Sequence, residues 1–177
     1  MISPNNIKIL FVLFCISIVT GSLLSPQSNI SSCKMWIDKY AREFSVDENL
    51  IAAMIMTESS GDVKAVSAKG AQGIMQLTPA TAKKVCHQLQ IPFFPAMLVQ
   101  PKTNIFLGCY YIHELLHRFD GCIVYALAAY NCGPYRVESW LSKTSDISAL
   151  EVLNKHATLQ TKHFVWCVLY RYHNSIR

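Results

Sequence analysis

The chain reads as a series of helical stripes separated by short polar breaks. From Cys33 to Phe44, the residues Trp36, Ile37, Tyr40 and Phe44 recur at helical spacing, which predicts an amphipathic helix. Leu50 to Met56 is apolar without interruption, so a helix there has no polar face and belongs in the core. Asp47 is placed to cap it, and the helix ends on Glu58. Ser59 to Lys69 is small and polar and predicts a loop. Thr78 followed by Pro79 starts a helix that runs to about Leu89. Ile91-Pro92-Phe93-Phe94-Pro95 cannot be helical and predicts an apolar loop. Pro101 to Phe119 is expected to be the longest helix, with its stripe at Ile105, Cys109, Ile112, Leu116 and Phe119. Gly121 to Asn131 is nearly all apolar and therefore central. Pro134 to Leu141 forms a short helix, and Gln160 to Tyr172 closes the chain. Strict alternation is scarce, apart from a short pairing expected near Ile74 to Leu77. The pattern is mainly α, with at most a very short β-hairpin.

Composition narrows this picture. A length of 177 residues suits one domain with one core. Hydrophobic residues make up 51% and charged residues 15%, which excludes a disordered chain. No repeat or low-complexity tract interrupts it. The net charge is +5, or +4 without Lys8. That balance assists approach to an anionic polymer. It lacks the basic runs interleaved with aromatics that nucleic acid requires, so none is expected as a partner.

The first residues read as an export signal. Lys8 and the amino terminus supply positive charge, and Ile9 to Val19 is an apolar run broken only by Ser17. A membrane span needs ~20 apolar residues, so this run is too short and suits a signal core. Thr20-Gly21-Ser22 offers small residues for cleavage after Gly21. We expect a signal peptide over 1–21 and a mature domain over 22–177, exported to the periplasm or another extracytoplasmic space; an uncleaved anchor is the alternative. Cys15 follows Phe14, where lipidation requires a small residue. The remaining cysteines are Cys33, Cys86, Cys109, Cys122, Cys132 and Cys167. In an oxidising compartment they allow up to three disulfides. The alternative is that several are small buried hydrophobes.

The candidate chemistry centres on Glu58. A carboxylate closing a core helix has its charged form disfavoured by desolvation, which raises its pKa. An acid that stays protonated near neutral pH can give a proton to a leaving oxygen. Twelve residues later, the Gly70-Ala71-Gln72-Gly73 turn lets backbone approach a ligand closely. One acid beside a backbone-rich loop suggests cleavage of a glycosidic bond.

Four blocks then carry a resemblance. They are Glu58-Ser59-Ser60 with Ala65-Val66-Ser67; Gly70 to Leu77; Asn104-Ile105-Phe106-Leu107-Gly108-Cys109-Tyr110-Tyr111; and Ala126 to Pro134. In order and spacing they resemble the soluble lytic transglycosylase family over about Trp36 to Tyr170. The resemblance implies a goose-lysozyme-like helical fold that cuts peptidoglycan glycan strands with Glu58 as the catalytic acid. It also implies that Ser67 contacts the N-acetyl region, that Met75 lines the cleft, and that Gln76, Tyr130 and Asn131 lie at the substrate. No cofactor or metal is implied, and we expect a monomer. Wall remodelling, a secretion apparatus or a phage could each employ such a domain. The chain departs from the family in one place. The family's last helix usually begins with a Glu-Thr pair, and here the pair is Gln160-Thr161, which alters saccharide contacts or local pKa tuning.

One motif competes with this reading. His113-Glu114-Leu115-Leu116-His117 spells H-E-x-x-H on a predicted helix, the spacing of a zinc protease. No extended third-ligand pattern follows. The phase of the helix also places Ile112, Leu115, Leu116 and Phe119 on the buried side and the two histidines on the flank. Carboxylate number then decides between reaction types. Most glycosidases use two carboxylates. Asp62 is the only other acid near Glu58 in sequence, and it falls in a variable loop with no assigned role. A single acid suffices when the C6 hydroxyl of the muramic residue attacks internally, and the family implies that 1,6-anhydro product. A hydrolytic muramidase of the same fold is the alternative.

Overall fold

The computed structural model describes residues 26–144 and 147–175. The proposed 1–21 leader lies outside the described residues. Among the described residues the elements are α1 (Pro26–Glu43), α2 (Glu48–Glu58), α3 (Pro79–Gln88), a 3₁₀ turn (Pro95–Val99), α4 (Pro101–Arg118), α5 (Ile123–Cys132), α6 (Pro134–Leu141), α7 (Ala149–His156) and α8 (Leu159–Ser175). No helix among them is long and apolar enough to cross a membrane. The short pairing exists as two isolated bridges, Val66 with Gln72 and Gln72 with Leu77.

The two apolar runs form the centre, as helices without a polar face must. α2 buries Leu50, Ile51, Ala53, Met54 and Ile55, and packs on α1 and α8. α5 buries Ala126 to Ala129 and is surrounded by α4, α6, α7 and α8. Asp47 caps α2, accepting from the Asn49 N–H at 2.8 Å. Its second oxygen accepts from the Tyr172 hydroxyl at 2.8 Å, which ties the tail of α8 to the start of α2.

Several expectations change in detail. α1 starts at Pro26, not Cys33, and at 18 residues it equals α4 in length. Leu116 is only half-buried, because the buried stripe of α4 runs through Asn104, Gly108, Tyr111 and Leu115 as well as the expected Ile105, Cys109 and Ile112. α7 was not anticipated. It is short and begins with a capping box in which Ser148 and Glu151 bond each other. Among the described residues no disulfide joins Cys33, Cys86, Cys109, Cys122, Cys132 or Cys167, so of the two readings left open by the sequence it is the one without bridges that holds. These cysteines are distributed over α1, α3, α4, α5 and α8 and the N-cap of α5, and Cys33, Cys86 and Cys109 are buried as small apolar groups.

Asn104 is the buried polar exception in α4. Its Oδ1 accepts from the Met75 N–H at 2.8 Å. Its Nδ2 donates to the carbonyls of Leu98 at 2.8 Å and Gln72 at 3.0 Å. One amide therefore joins α4, the 3₁₀ turn and the glycine-rich loop. Gly73, at φ +78°, lies against the same amide, and a Cβ there would collide with the Leu98 carbonyl. Gly108 lies one turn beyond Asn104 and leaves space for Met75, whose sulfur sits where a Cβ would be.

Asn104→Ala should therefore destabilise the fold by about 2–4 kcal/mol, since it leaves the Met75 N–H and the Leu98 carbonyl without their buried partner and removes one of the two bonds to the Gln72 carbonyl. Urea denaturation checks this. A loss below about 0.5 kcal/mol would show that the loop does not depend on the amide.

Candidate active site

The carboxyl of Glu58 sits where α2 stops. Beyond it the Ser59 hydroxyl donates to the Ile74 carbonyl at 2.8 Å and accepts from the Gly61 N–H at 3.1 Å. This fixes the end of α2 against the loop. The loop is held by its own turns. The Ser67 N–H donates to the Ala71 carbonyl, the Ala71 N–H donates to the Ser67 hydroxyl at 3.0 Å, and Gln72 and Leu77 exchange both backbone bonds.

Loop and helices enclose a cleft of about 290 Å³ lined by Glu58, Ser67, Gln76, Tyr130 and Asn131, together with Lys69, Tyr111 and Gln160. Met75 is the expected site residue that does not line it. Its side chain is fully buried beneath Gly108, and it serves the site through its backbone. Its carbonyl accepts from the Tyr130 hydroxyl at 2.9 Å.

Gln76, Asn131, Ser67 and Tyr130 each have one side committed to the protein. Gln76 adopts φ +49°, a left-handed backbone that costs a non-glycine residue about 1–2 kcal/mol. Its Nε2 donates to the carbonyls of Gly73 at 2.9 Å and Ala65 at 3.1 Å, which fixes the amide and leaves Oε1 as an acceptor. Asn131 Oδ1 accepts from the buried Thr161 hydroxyl at 3.0 Å, leaving its Nδ2 to donate. Ser67 keeps its own proton after accepting from Ala71. The Tyr130 hydroxyl donates to the Met75 carbonyl, which leaves its oxygen as an acceptor, and burial, with Glu58 nearby, pushes its pKa well above the usual range. Around the acid, Ser67 and Asn131 thus offer donors, and Gln76 and Tyr130 offer acceptors.

Among the described residues, Glu58 is the only carboxylate lining this cleft. Part of its surface stays open, yet burial alone pushes its pKa from 4.5 up to about 8. At neutral pH it is an acid with its proton. Asp62 is exposed and accepts from the Lys64 N–H. Glu138 pairs with Arg118 at 2.7 Å, and Glu114 accepts from Gln88.

The histidine motif lies elsewhere, on the flank of α4. The His113 ring packs against Phe44 and Tyr110, and the His117 ring packs against His113 at 4.6 Å. No third His, Cys, Asp or Glu completes a metal-ligand group among the described residues. The helix phase that brings Tyr111 to the cleft turns these side chains away from it.

The Transglycosylase SLT domain family profile matches residues 35–152, about two thirds of the chain. The chain belongs to this family. It is 32% identical over 134 residues to the soluble lytic murein transglycosylase of Salmonella typhimurium, covering 74% of this chain and 21% of that protein. It thus spans about a fifth of that relative. It is also 32% identical over 165 residues to the membrane-bound lytic murein transglycosylase E of Buchnera aphidicola, covering 80% of this chain and 74% of that one. Among solved structures it resembles the 70 kDa soluble lytic transglycosylase complexed with bulgecin A. The TM-score is 0.76 at 28% identity, over 81% of this chain and 24% of that one. The lysozyme-like helical fold of this SLT domain follows from that likeness.

Sequence reasoning gave no role to Tyr111, although the signal was present. Asn104, Gly108 and Tyr111 stand at i, i+4 and i+7, which places them on one face of α4. One holds the loop, one makes room for Met75 and one lines the cleft.

The acid of the SLT domain is held at a cost to stability. Its folded pKa lies above its ordinary value of 4.5, so as pH rises the unfolded chain ionises first. Stability should be highest below about pH 4.5 on this account, and should fall until about pH 8. Glu58→Gln removes this dependence. Relative to wild type, the variant should gain roughly 1–3 kcal/mol between pH 5 and pH 9, discounted for the open cleft. Chemical denaturation of both proteins at the two pH values measures this. An equal difference at both pH values would mean that Glu58 ionises as an ordinary surface carboxylate.

Proposed function

We propose that this SLT domain is a peptidoglycan lytic transglycosylase that cleaves the β-1,4 bond between N-acetylmuramic acid and N-acetylglucosamine and forms a 1,6-anhydromuramic end. The observation that carries this reading is the single protonated carboxyl, Glu58, in a cleft lined by no second carboxylate among the described residues. Most glycosidases that hydrolyse their substrate use a second carboxylate to replace or activate water. Here the nucleophile comes from the sugar itself.

In this mechanism Glu58 gives its proton to the glycosidic oxygen, and the bond to the anomeric carbon breaks. The Glu58 carboxylate then takes the proton of the muramic C6 hydroxyl as that oxygen bonds to the anomeric carbon. Atoms and charge balance, and Glu58 returns to its starting form. Internal attack avoids the entropic cost of capturing a free nucleophile, provided that the ring is held in the reactive shape. Ser67 and Asn131 supply donors for acetamido and hydroxyl oxygens, and Gln76 Oε1 and the Tyr130 oxygen supply acceptors near the developing cation. No step requires a metal or cofactor. The substrate lies outside the cytoplasm, so the reading carries export with it, with residues 1–21 as the leader. The domain acts as a monomer along a glycan strand.

Glu58→Gln should leave the circular dichroism of the protein unchanged and lower glycan cleavage by ~100-fold or more. Mass spectrometry of a peptidoglycan digest should show muropeptides one water lighter than reducing-end products. A digest dominated by reducing-end muramic acid would make the enzyme a hydrolytic muramidase. The rate should also decline above about pH 8 as Glu58 loses its proton.

His113→Ala combined with His117→Ala should keep cleavage within about threefold of wild type, because both rings lie on the flank of α4 and neither lines the cleft. A chelator should not inhibit. Stoichiometric zinc required for activity would overturn this assignment.

A further inference from the structure

The cleft has a cation that the proposed mechanism does not use. Among the charged side chains lining it, Glu58 is neutral below about pH 8, so Lys69 gives the lining its charge at neutral pH. Lys69 is an exposed residue at the tip of the loop, in the tight turn closed by the Gly70 N–H on the Ser67 carbonyl. Its Nζ donates to Gln160 Oε1 at 3.1 Å. Gln160 belongs to the first turn of α8, so the bond joins the glycine-rich loop to α8 at the cleft.

The partner determines what this ammonium can do. A glutamate at position 160, usual in the family, would form an ion pair and cancel much of the charge. The Gln160 amide orients the ammonium and cancels none of it. One donor is used and two remain. Among the described residues no carboxylate pairs with Lys69.

We propose that Lys69 is a specificity residue that selects glycan strands carrying a carboxylate beside the scissile bond, and that Gln160 positions its ammonium. This inference rests on the proposed action on peptidoglycan. Muramic residues can present a carboxylate in two ways. Strands stripped of peptide bear a free lactyl carboxylate on the sugar, whereas peptide-bearing strands carry carboxylates on the stem. Chitin oligosaccharides share the backbone and carry none.

The test compares the full chain with Lys69→Met, which keeps the length of the apolar stem. On peptidoglycan, KM should rise about three- to tenfold with kcat within about twofold. Affinity for the neutral N-acetylglucosamine hexasaccharide should be retained. The KM difference should shrink in about 0.5 M salt, where exposed charges are screened. Lys69→Arg should restore binding, and Gln160→Glu should weaken it in the same direction. A larger effect on peptide-stripped strands assigns the lactyl carboxylate, and a larger effect on intact strands assigns the stem. Wild-type KM in Lys69→Met, or equal loss on the neutral hexasaccharide, would overturn the proposal and leave Lys69 a structural strap. Absence of any cleavage by the wild type would instead remove the reading of function on which it stands.

Discussion

Everything at the cleft depends on a buried amide. Asn104 sits in an apolar helix, where an unpaired polar group would be costly. It is tolerated because all three of its bonds go to backbone groups, two of which, the Met75 N–H and the Leu98 carbonyl, depend on it. The loop over residues 65–77 has almost no regular structure, and two isolated bridges cannot hold it. The amide substitutes for a sheet. It fixes Met75 N and Gln72 O from below, and Met75 O then becomes the acceptor that aims Tyr130.

Glycine serves this constraint in two ways. At Gly73 it allows a left-handed backbone pressed against Leu98 and Asn104. At Gly108 it lets the Met75 side chain sink into α4, which lowers the loop onto the core. Met75 therefore acts as an anchor and not as a cleft wall. Gln76, the next residue, must turn the chain left-handed to bring its own side chain back to the cleft, and its two donated bonds offset that strain.

The acid illustrates a conflict between stability and chemistry. α2 would be more stable with an uncharged residue at its end, because burial and the helix dipole both disfavour a carboxylate there. The same environment keeps the proton on Glu58 at neutral pH. The surrounding groups bond to backbone and to each other, and among the described residues no hydrogen bond to the carboxylate is formed. Its neutrality is thus a property of the whole arrangement of α2, α5 and the loop.

All the helices but α7 were legible in the sequence, because their causes are local. The apolar runs at Leu50–Met56 and Ala126–Ala129, the caps at Asp47 and Thr78, and the prolines at 79, 101 and 134 act within a few residues. Glu58 was legible for the same reason, as a charge closing a core helix. Other features were settled only by contacts between distant segments. Gln160 and Lys69 are 91 residues apart and meet at the cleft. No disulfide forms among the described cysteines, because the packing of the helices, not the number of thiols, sets where thiols lie. His113 and His117 matched a metal motif in spacing, but the face of α4 that carries them packs on Phe44 and leaves the cleft to Tyr111. Sequence determines which faces are apolar and where helices start. Tertiary structure decides which face meets which neighbour, because burial of polar groups is permitted only where distant partners satisfy them.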